Sequence, residues 1–272
     1  MVVEGPRALT TVIGAGAEIE EVYVAVDGDE VGREVFPVDV PTGEPPPGFD
    51  RVERAVLDSI SDSETPQGLL ALARPRLVDL DAIDPRSPVV VIDGVQDPGN
   101  VGAIVRVAAA MGVDVVVTTP GTADPLGPRA VRASAGTMAL VGLCMRSRPE
   151  AVLETLLAGG RRVLVADTAG EDLSEVVVDQ PWALVVGSEG HGVGEHFRGD
   201  DVTPVSIPMA AGVESLNVAV TAGIVLYSLR VGTAGPPDQC RCDDPAPPSD
   251  PSTVPRAVTS TVSVRRGDVR SS

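Results

Sequence analysis

The sequence predicts an α/β protein whose larger part is a parallel sheet covered by helices on both faces. Apolar runs alternate with helical patterns from residue 89 to residue 230, as in a chain built from repeated strand–helix units. These runs are continuous rather than alternating, which is typical of strands buried on both faces. Hydrophobic residues make up 43% of the 272 residues, enough for a sizeable core, and only 2% are aromatic. Val, Leu, Ile and Ala must therefore fill that core.

The first 78 residues predict a small α/β unit of their own. Pro6 suits the first turn of a helix, and Gly14 and Gly16 end that helix. The elements predicted here are a helix at 4–14, strands at 21–26 and 35–38, a helix at 51–60 and a strand at 69–73. Residues 79–88 are rich in proline and aspartate and predict an exposed linker.

Residues 89–235 carry the regular alternation of strands and helices. Strands are predicted at 89–92, 113–118, 140–145, 162–166, 182–186 and 202–207, and helices at 100–111, 130–138 and 150–157. A closing helix follows Asn217, and Ser215 and Asn217 suit its cap region. Residues 236–272 contain much Pro, Asp, Ser and Thr and few core-forming residues, which predicts a disordered tail.

Charge and composition narrow the classes of function. The net charge is −18 and every basic residue is Arg, which argues against indiscriminate nucleic-acid binding unless arginines converge on one face. No apolar run is long enough to span a bilayer and no signal peptide begins the chain, so a cytoplasmic location is expected. Cys144, Cys240 and Cys242 do not form a disulfide framework. Cys240 and Cys242 also lack the further ligands of a structural zinc site, so no metal is expected.

The stretch DPGNVG at residues 97–102 lies between a predicted buried strand and a helix. Strand ends of this kind are where parallel sheets bind ligands, and glycines allow close approach of the backbone. Asn100 suits the helix cap. Arg106 lies inside an otherwise apolar helix, so its charge requires a partner, a ligand or a route to the surface.

Two later stretches have the same strand-end character. GSEGHG at residues 187–192 follows a buried strand, and its glycines would let the chain pass close to a nucleoside. Glu189 is a candidate to orient Asn100 or Arg106, whereas His191 is either a titrating group or an exposed loop residue. The third stretch, IPMAAGVESLNVAVTAGI, runs from a strand end into the closing helix.

Together and in this order, DPGNVGAIVR, VVGSEGHGV and IPMAAGVESLNVAVTAGI resemble the signature motifs of the SpoU/TrmH branch of the SPOUT methyltransferase superfamily. This resemblance implies transfer of a methyl group from S-adenosylmethionine to a ribose 2′-hydroxyl of RNA without a metal. It gives catalytic roles to five residues: Asn100, Arg106, Glu189, Ser215 and Asn217. It places four residues at the cofactor: Thr168, Gly187, Ile207 and Leu216.

The resemblance implies more about architecture and partners. Residues 1–78 are similar to the L30e-like substrate-binding domain that often precedes the catalytic domain in this branch, on the pieces EGPRAL and SETPQGLLALA. The catalytic half is expected to hold a trefoil knot and to form a homodimer. Arg129 and Arg132, with Arg146 and Arg148, form the candidate RNA-binding patch, although ordinary solvated charges would give the same pattern.

Several alternatives stay open at the level of sequence. Ribosomal RNA, specifically 23S RNA, is favoured over transfer RNA because the L30e-like extension is commoner among ribosomal RNA enzymes of the branch. Arg106 acts as a base, holds the phosphate beside the hydroxyl, or lowers the hydroxyl pKa electrostatically, and the last is physically easier for a guanidinium than removing a proton. A dinucleotide-dependent oxidoreductase is disfavoured because the fingerprint G-x-G-x-x-G is absent after the first strand of the catalytic half. A non-catalytic RNA-binding or ribosome-assembly protein is the remaining alternative.

Overall fold

The computed structural model describes residues 1–26, 49–63, 65–188 and 190–233, with the side chains of Phe49 and of residues 230–233 outside the description. The predicted strand at 35–38, Glu189 and the predicted disordered tail at 236–272 lie outside the described residues. Within the described residues, no helix is both long and apolar enough to cross a membrane.

A mixed four-stranded sheet forms the first unit. Its elements are β1 (Val2–Glu4), α1 (Pro6–Gly14), β2 (Ile19–Val26), β3 (Phe49–Glu53), α2 (Arg54–Ile60) and β4 (Leu69–Ala73). The strand order is β1-β4-β2-β3, with β2 and β3 parallel and the other pairs antiparallel. Residues 51–53 were predicted to be helical, but they pair with β2 and extend β3. The three-residue β1 was not predicted, because a strand this short has no visible period.

A six-stranded parallel sheet forms the second unit and confirms the predicted fold class. Its strands are β5 (Val89–Asp93), β6 (Val115–Thr118), β7 (Gly142–Cys144), β8 (Arg162–Asp172), β9 (Trp182–Gly187) and β10 (Thr203–Ser206), in the order β10-β8-β9-β5-β6-β7. Its helices are α3 (Pro98–Ala110), α4 (Pro128–Ser134), α5 (Pro149–Ala158) and α6 (Val218–Thr233). The trefoil knot stays a prediction.

The strands of this sheet are as apolar as the sequence indicated. All five residues of β5 are buried, and Val, Leu, Ile and Ala dominate the clusters on both faces. Strand β8 is longer than predicted, because its second half pairs with β10 after a shift in register between Pro204 and Val205. Gly170 permits this pairing, since a Cβ there would lie 2.4 Å from the carbonyl carbon of Pro204. Cys144 is buried, and its burial raises the pKa of its thiol.

The two units share a packed boundary. Val131 and Ala139 of the second unit join the core that contains Val3 and Leu9 of the first. Gly136 makes this approach possible, because a Cβ there would lie 2.5 Å from the carbonyl oxygen of Ala8. The first unit therefore packs on the region around α4.

The segment predicted as an exposed linker is held by a buried side chain. The Arg161 side chain, only 4% exposed, donates hydrogen bonds to the backbone carbonyls of Asp84 and Ser87. Burial lowers the pKa of Arg161 from its ordinary value, and the nearby Asp84 opposes that shift. The hydroxyl of Ser87 also donates to the carboxylate of Asp114 at 2.6 Å. The linker is thus fixed against the second sheet.

Candidate active site

A cavity of about 410 Å³ opens where three parallel strands end. Its wall comes from residues 166–168 within β8, residues 186–188, 191 and 192 around the end of β9, residue 198, residues 205, 207 and 209 around the end of β10, and residues 214–216, 218 and 221 leading into α6. This is the edge at which parallel sheets bind ligands. Its volume falls in the range of pockets that enclose small molecules.

The four residues predicted to bind the cofactor all lie on this wall, together with one predicted catalytic residue: Thr168, Gly187, Ile207, Leu216 and Ser215. They come from different strands and from the segment before α6, so only the fold brings them together. Their roles in binding stay predictions, but their placement makes a shared ligand physically possible.

Gly187 lies on the wall at the end of β9. A Cβ on this residue would lie 2.2 Å from the backbone carbon of Gly192, closer than any real contact. The chain folds back here, because Ser188 and Gly192 exchange two backbone hydrogen bonds of 3.0 and 2.8 Å. Only glycine therefore fits at the end of β9 while the loop takes this shape.

Asn217 links the start of α6 to the start of α3. Its side-chain oxygen accepts hydrogen bonds from the amides of Ala219 and Val220 at 3.0 and 3.3 Å, which caps α6. Its side-chain nitrogen donates to Oδ1 of Asn100 at 3.0 Å. Two residues predicted to share a site, 117 positions apart in sequence, are thus in direct contact.

The start of α3 differs from the prediction in one respect. Asp97, not Asn100, caps this helix, because the Asp97 carboxylate accepts the backbone amide of Asn100 at 2.8 Å and Pro98 occupies the first turn. The side chain of Asn100 is therefore not needed as a cap and meets Asn217 instead.

Arg106 lies further along α3, about 9 Å along the axis from Asn100. Its side chain is exposed, and no hydrogen bond or ion pair joins it to another described residue. Arg106 is not part of the cavity wall. Because Glu189 lies outside the described residues, its expected contact with Asn100 or Arg106 stays a prediction.

Comparison with known proteins decides the family. Residues 87–227 match the SpoU rRNA Methylase family. The chain belongs to the SpoU rRNA methylase family. Among its relatives, a 23S rRNA (adenosine(1067)-2′-O)-methyltransferase of Streptomyces laurentii is 33% identical over 84% of each chain. The 23S rRNA (guanosine(2553)-2′-O)-methyltransferase RlmP of Bacillus subtilis is 33% identical over 63% of this chain and 68% of its own.

A solved structure shares the fold of this SpoU-family chain. The AdoMet-bound rRNA methyltransferase from Sinorhizobium meliloti is 24% identical, with a TM-score of 0.71 over 86% of this chain and 88% of that one. At this level of identity the likeness establishes the fold alone.

The arginines predicted to bind RNA are exposed, but two of them already have partners in this SpoU-family chain. Arg129, with 69% of its side chain exposed, lies 3.6 Å from the carboxylate of Asp97. Arg132 donates a hydrogen bond of 2.8 Å to the carbonyl of Asp62, across the boundary between the two units. Arg146 and Arg148 follow the carboxyl end of β7, and both are exposed. Arg132 thus has a structural contact that sequence reasoning missed.

The charged residues of the cavity wall were also missed. Asp167, Glu214 and Arg198 contribute to the wall, and Arg198 donates a hydrogen bond of 3.0 Å to the carbonyl of His191. His191 lines the cavity as well and is exposed. Asp167 follows the buried part of β8 and directly precedes Thr168, which the sequence analysis placed at the cofactor.

Proposed function

We propose that this protein is an S-adenosylmethionine-dependent methyltransferase that modifies a ribose 2′-hydroxyl of ribosomal RNA. One observation carries the proposal most directly: in a SpoU-family chain, a small-molecule cavity at the strand ends lies beside the contact between Asn100 and Asn217. The two relatives above are named for 2′-O-methylation of 23S rRNA, which favours ribosomal RNA over transfer RNA.

The cavity suits a nucleoside cofactor. The wall combines backbone at Gly187 and Gly192 with apolar side chains of Ile207 and Leu216, so an adenine ring would meet apolar surface and main-chain hydrogen-bonding groups. Ser215 and Thr168 add hydroxyls to the same wall. When bound, S-adenosylmethionine supplies a methyl group activated by its sulfonium.

The chain's own residues would hold and polarise the ribose. The hydrogen bond between the side chains of Asn100 and Asn217 holds two polar amides in place between α3 and α6, and we call this pair the polar point between α3 and α6. Arg106 presents a permanent positive charge on the exposed face of α3. A fixed guanidinium beside the 2′-hydroxyl would lower the hydroxyl pKa or hold the adjacent phosphate, and this is physically easier than removing the proton itself.

We further propose that the working unit is a homodimer joined through α6. Three apolar side chains, one per turn, are exposed along this helix: Val220 at 49%, Ile224 at 38% and Tyr227 at 63%. Their spacing of four and three residues places them on one face, which we call the α6 stripe. An apolar stripe of this kind marks a surface that another protein surface covers.

The RNA would meet the exposed arginines at the carboxyl side of the sheet. Arg129, Arg146 and Arg148 can neutralise phosphates without breaking a contact between the two units. The first unit, predicted to be L30e-like, would extend this surface. Because we propose ribosomal RNA as the substrate, we also propose that the protein works in the cytoplasm.

The test is methyl transfer to purified RNA. The protein is incubated with labelled S-adenosylmethionine and with ribosomal RNA or transfer RNA, and ribose methylation is mapped by its resistance to alkaline hydrolysis. We expect one modified 2′-hydroxyl in 23S rRNA. Modification of transfer RNA alone would shift the substrate class, and binding of RNA with no methyl transfer to either would favour an assembly protein.

A further inference from the structure

Asp93, the last residue of β5, is a buried carboxylate with no role in the function proposed so far. Its side chain belongs to a residue only 8% exposed. One oxygen accepts a hydrogen bond from the hydroxyl of Thr119 at 2.6 Å, and the other accepts the backbone amide of Gly194, also at 2.6 Å. Burial of a carboxylate is unfavourable unless hydrogen bonds compensate for the lost water. The two short hydrogen bonds provide that compensation for Asp93, and they tie its carboxylate to Thr119 and Gly194.

Gly194 terminates the loop that follows β9. This loop begins at Gly187, which lies directly opposite Asp93 in the ladder between β5 and β9. The chain leaves at Gly187, turns back through the hydrogen bonds between Ser188 and Gly192, and returns to β5 where Gly194 meets Asp93. The 187–194 loop is therefore fixed at its turn and at its return, and Asp93 provides the second anchor.

The anchored loop forms one wall of the cavity. Gly187, Ser188, His191 and Gly192 all face the cavity, whereas Asp93 does not. Gly187 has no space for a Cβ, so the loop begins without a side chain. Further along, the amide of His191 donates to the hydroxyl of Ser188 at 3.3 Å, and Val193 is buried in the core. Beside this apolar contact, the hydrogen bond from the amide of Gly194 to Asp93 joins the end of the loop to the central sheet.

We propose that Asp93 is a positioning residue that sets the cavity wall for S-adenosylmethionine by holding the amide of Gly194. This inference rests on the proposed function. Asp93 acts through the loop and touches no reacting atom. Thr119, which is fully buried, holds the carboxylate in the orientation that reaches Gly194.

The chemistry of the contact distinguishes two substitutions. In Asp93→Asn, the side-chain oxygen can accept the amide of Gly194 while the NH₂ group donates to the hydroxyl oxygen of Thr119, which can also accept. In Asp93→Ala, both partners lose their hydrogen bonds and the loop loses its anchor. We expect Asp93→Ala to weaken S-adenosylmethionine binding at least tenfold, about the loss of one hydrogen bond to a charged group. We expect Asp93→Asn to stay within about threefold of the wild type.

The measurement is isothermal titration of S-adenosylmethionine into the full chain, with thermal unfolding recorded for every variant. Val22→Ala is the matched control, because it opens a cavity in the core of the first unit and touches no part of the loop. It should lower the melting temperature and leave cofactor affinity unchanged. Equal affinity in Asp93→Ala and the wild type would overturn the proposal, and so would a loss in Asp93→Ala that is matched by Val22→Ala.

A second variant keeps the test decisive if Asp93→Ala does not fold. Thr119→Val removes one hydroxyl from a buried site with little change of shape, so that the carboxylate loses one of its two anchors. We expect faster amide hydrogen exchange in residues 190–194 and about threefold weaker cofactor binding. Unchanged exchange and affinity in Thr119→Val would reject the role of Asp93. Failure of the wild type to bind S-adenosylmethionine would instead reject the proposed function.

Discussion

Residues of one chain line the cavity, whereas exposed residues of α3 and α6 remain available to contact another molecule. Main-chain atoms, glycines, and small, apolar and charged side chains together build the cavity, and the hydrogen bond from Gly194 to Asp93 joins one of its loops to the sheet. The exposed residues of α3 and α6 include Arg106, which has no hydrogen bond or ion pair with another described residue, and the apolar α6 stripe. We propose a division of roles, in which the cavity binds a small molecule by itself and the exposed residues of α3 and α6 contact RNA or a second copy of the chain.

Arg106→Ala should distinguish the cavity from the exposed residues of α3 most clearly, because it should change the rate of methyl transfer and not the affinity for the cofactor. Because Arg106 lies outside the cavity wall, we expect unchanged affinity for S-adenosylmethionine. We expect the rate of methyl transfer to fall by about 10²–10³-fold, as when one preorganised electrostatic donor is removed. Titration calorimetry measures the first quantity, and single-turnover methylation of ribosomal RNA measures the second.

Arg106→Lys is the matched control for that prediction. Lysine keeps the charge but loses the planar fork, so it should recover part of the rate if charge near the hydroxyl matters. Methyl transfer at full rate by Arg106→Ala would remove Arg106 from the reaction. A parallel loss of cofactor affinity would show that the two regions are not separable.

Ile224→Asp tests whether the α6 stripe is covered by a second copy. A charge placed in the middle of a buried apolar contact should weaken dimerisation by about a hundredfold, since a carboxylate there would lose its water without a partner. Sedimentation velocity over a range of concentrations gives the dimer dissociation constant. Ile13→Asp on α1 is the control, because Ile13 is similarly exposed, at 42% against 38%, and lies outside the stripe. Equal effects of both variants would contradict the assignment.

Gly187→Ala tests the wall of the cavity. The added methyl group would meet the backbone of Gly192, and the 187–194 loop must move to accommodate it. If the loop keeps its position, the resulting strain should lower the free energy of unfolding by about 2 kcal/mol. If the loop moves instead, the altered cavity should bind the cofactor about thirtyfold more weakly. Gly190→Ala, in the same loop, is the control, because nothing lies within 4 Å of its added carbon. Wild-type behaviour of Gly187→Ala would mean that the loop is not tightly closed.

Sequence reasoning found the parts of the site that have a local signal. The resemblance to the SpoU/TrmH motifs predicted Gly187, Ile207 and Leu216 at the cofactor, and all three lie on the cavity wall. The strands that lead to this cavity are visible in the sequence as apolar runs. Asp97 was also within reach, because Pro98 directly after it is the usual start of a helix, yet Asn100 was preferred as the cap. Asp97 and Asn100 are both favourable N-cap residue types, and the sequence alone does not show which of them caps the helix.

Contacts between distant segments had no such signal. Asp93 ends an apolar run, but the role that we propose for it depends on Gly194, 101 positions later. Arg161 reads as a solvated charge after two glycines, although it is buried and holds the linker. In both cases the partner is a backbone group, which every residue possesses, so no residue type marks it.

Asn217 lies between residues of the cavity wall and contacts Asn100 on α3. Two substitutions of Asn217 distinguish its effect on the free energy of unfolding from its effect on the rate of methyl transfer. Asn217→Ala removes the cap of α6 and should lower the free energy of unfolding by about 1 kcal/mol. Asn217→Asp keeps an oxygen for the amides of Ala219 and Val220 but cannot donate to Asn100. We expect near-wild-type stability for the aspartate variant by urea denaturation, with slower methyl transfer in both variants. Full activity in Asn217→Asp would show that the contact with Asn100 serves the fold alone, and the polar point between α3 and α6 would then have no part in placing the ribose.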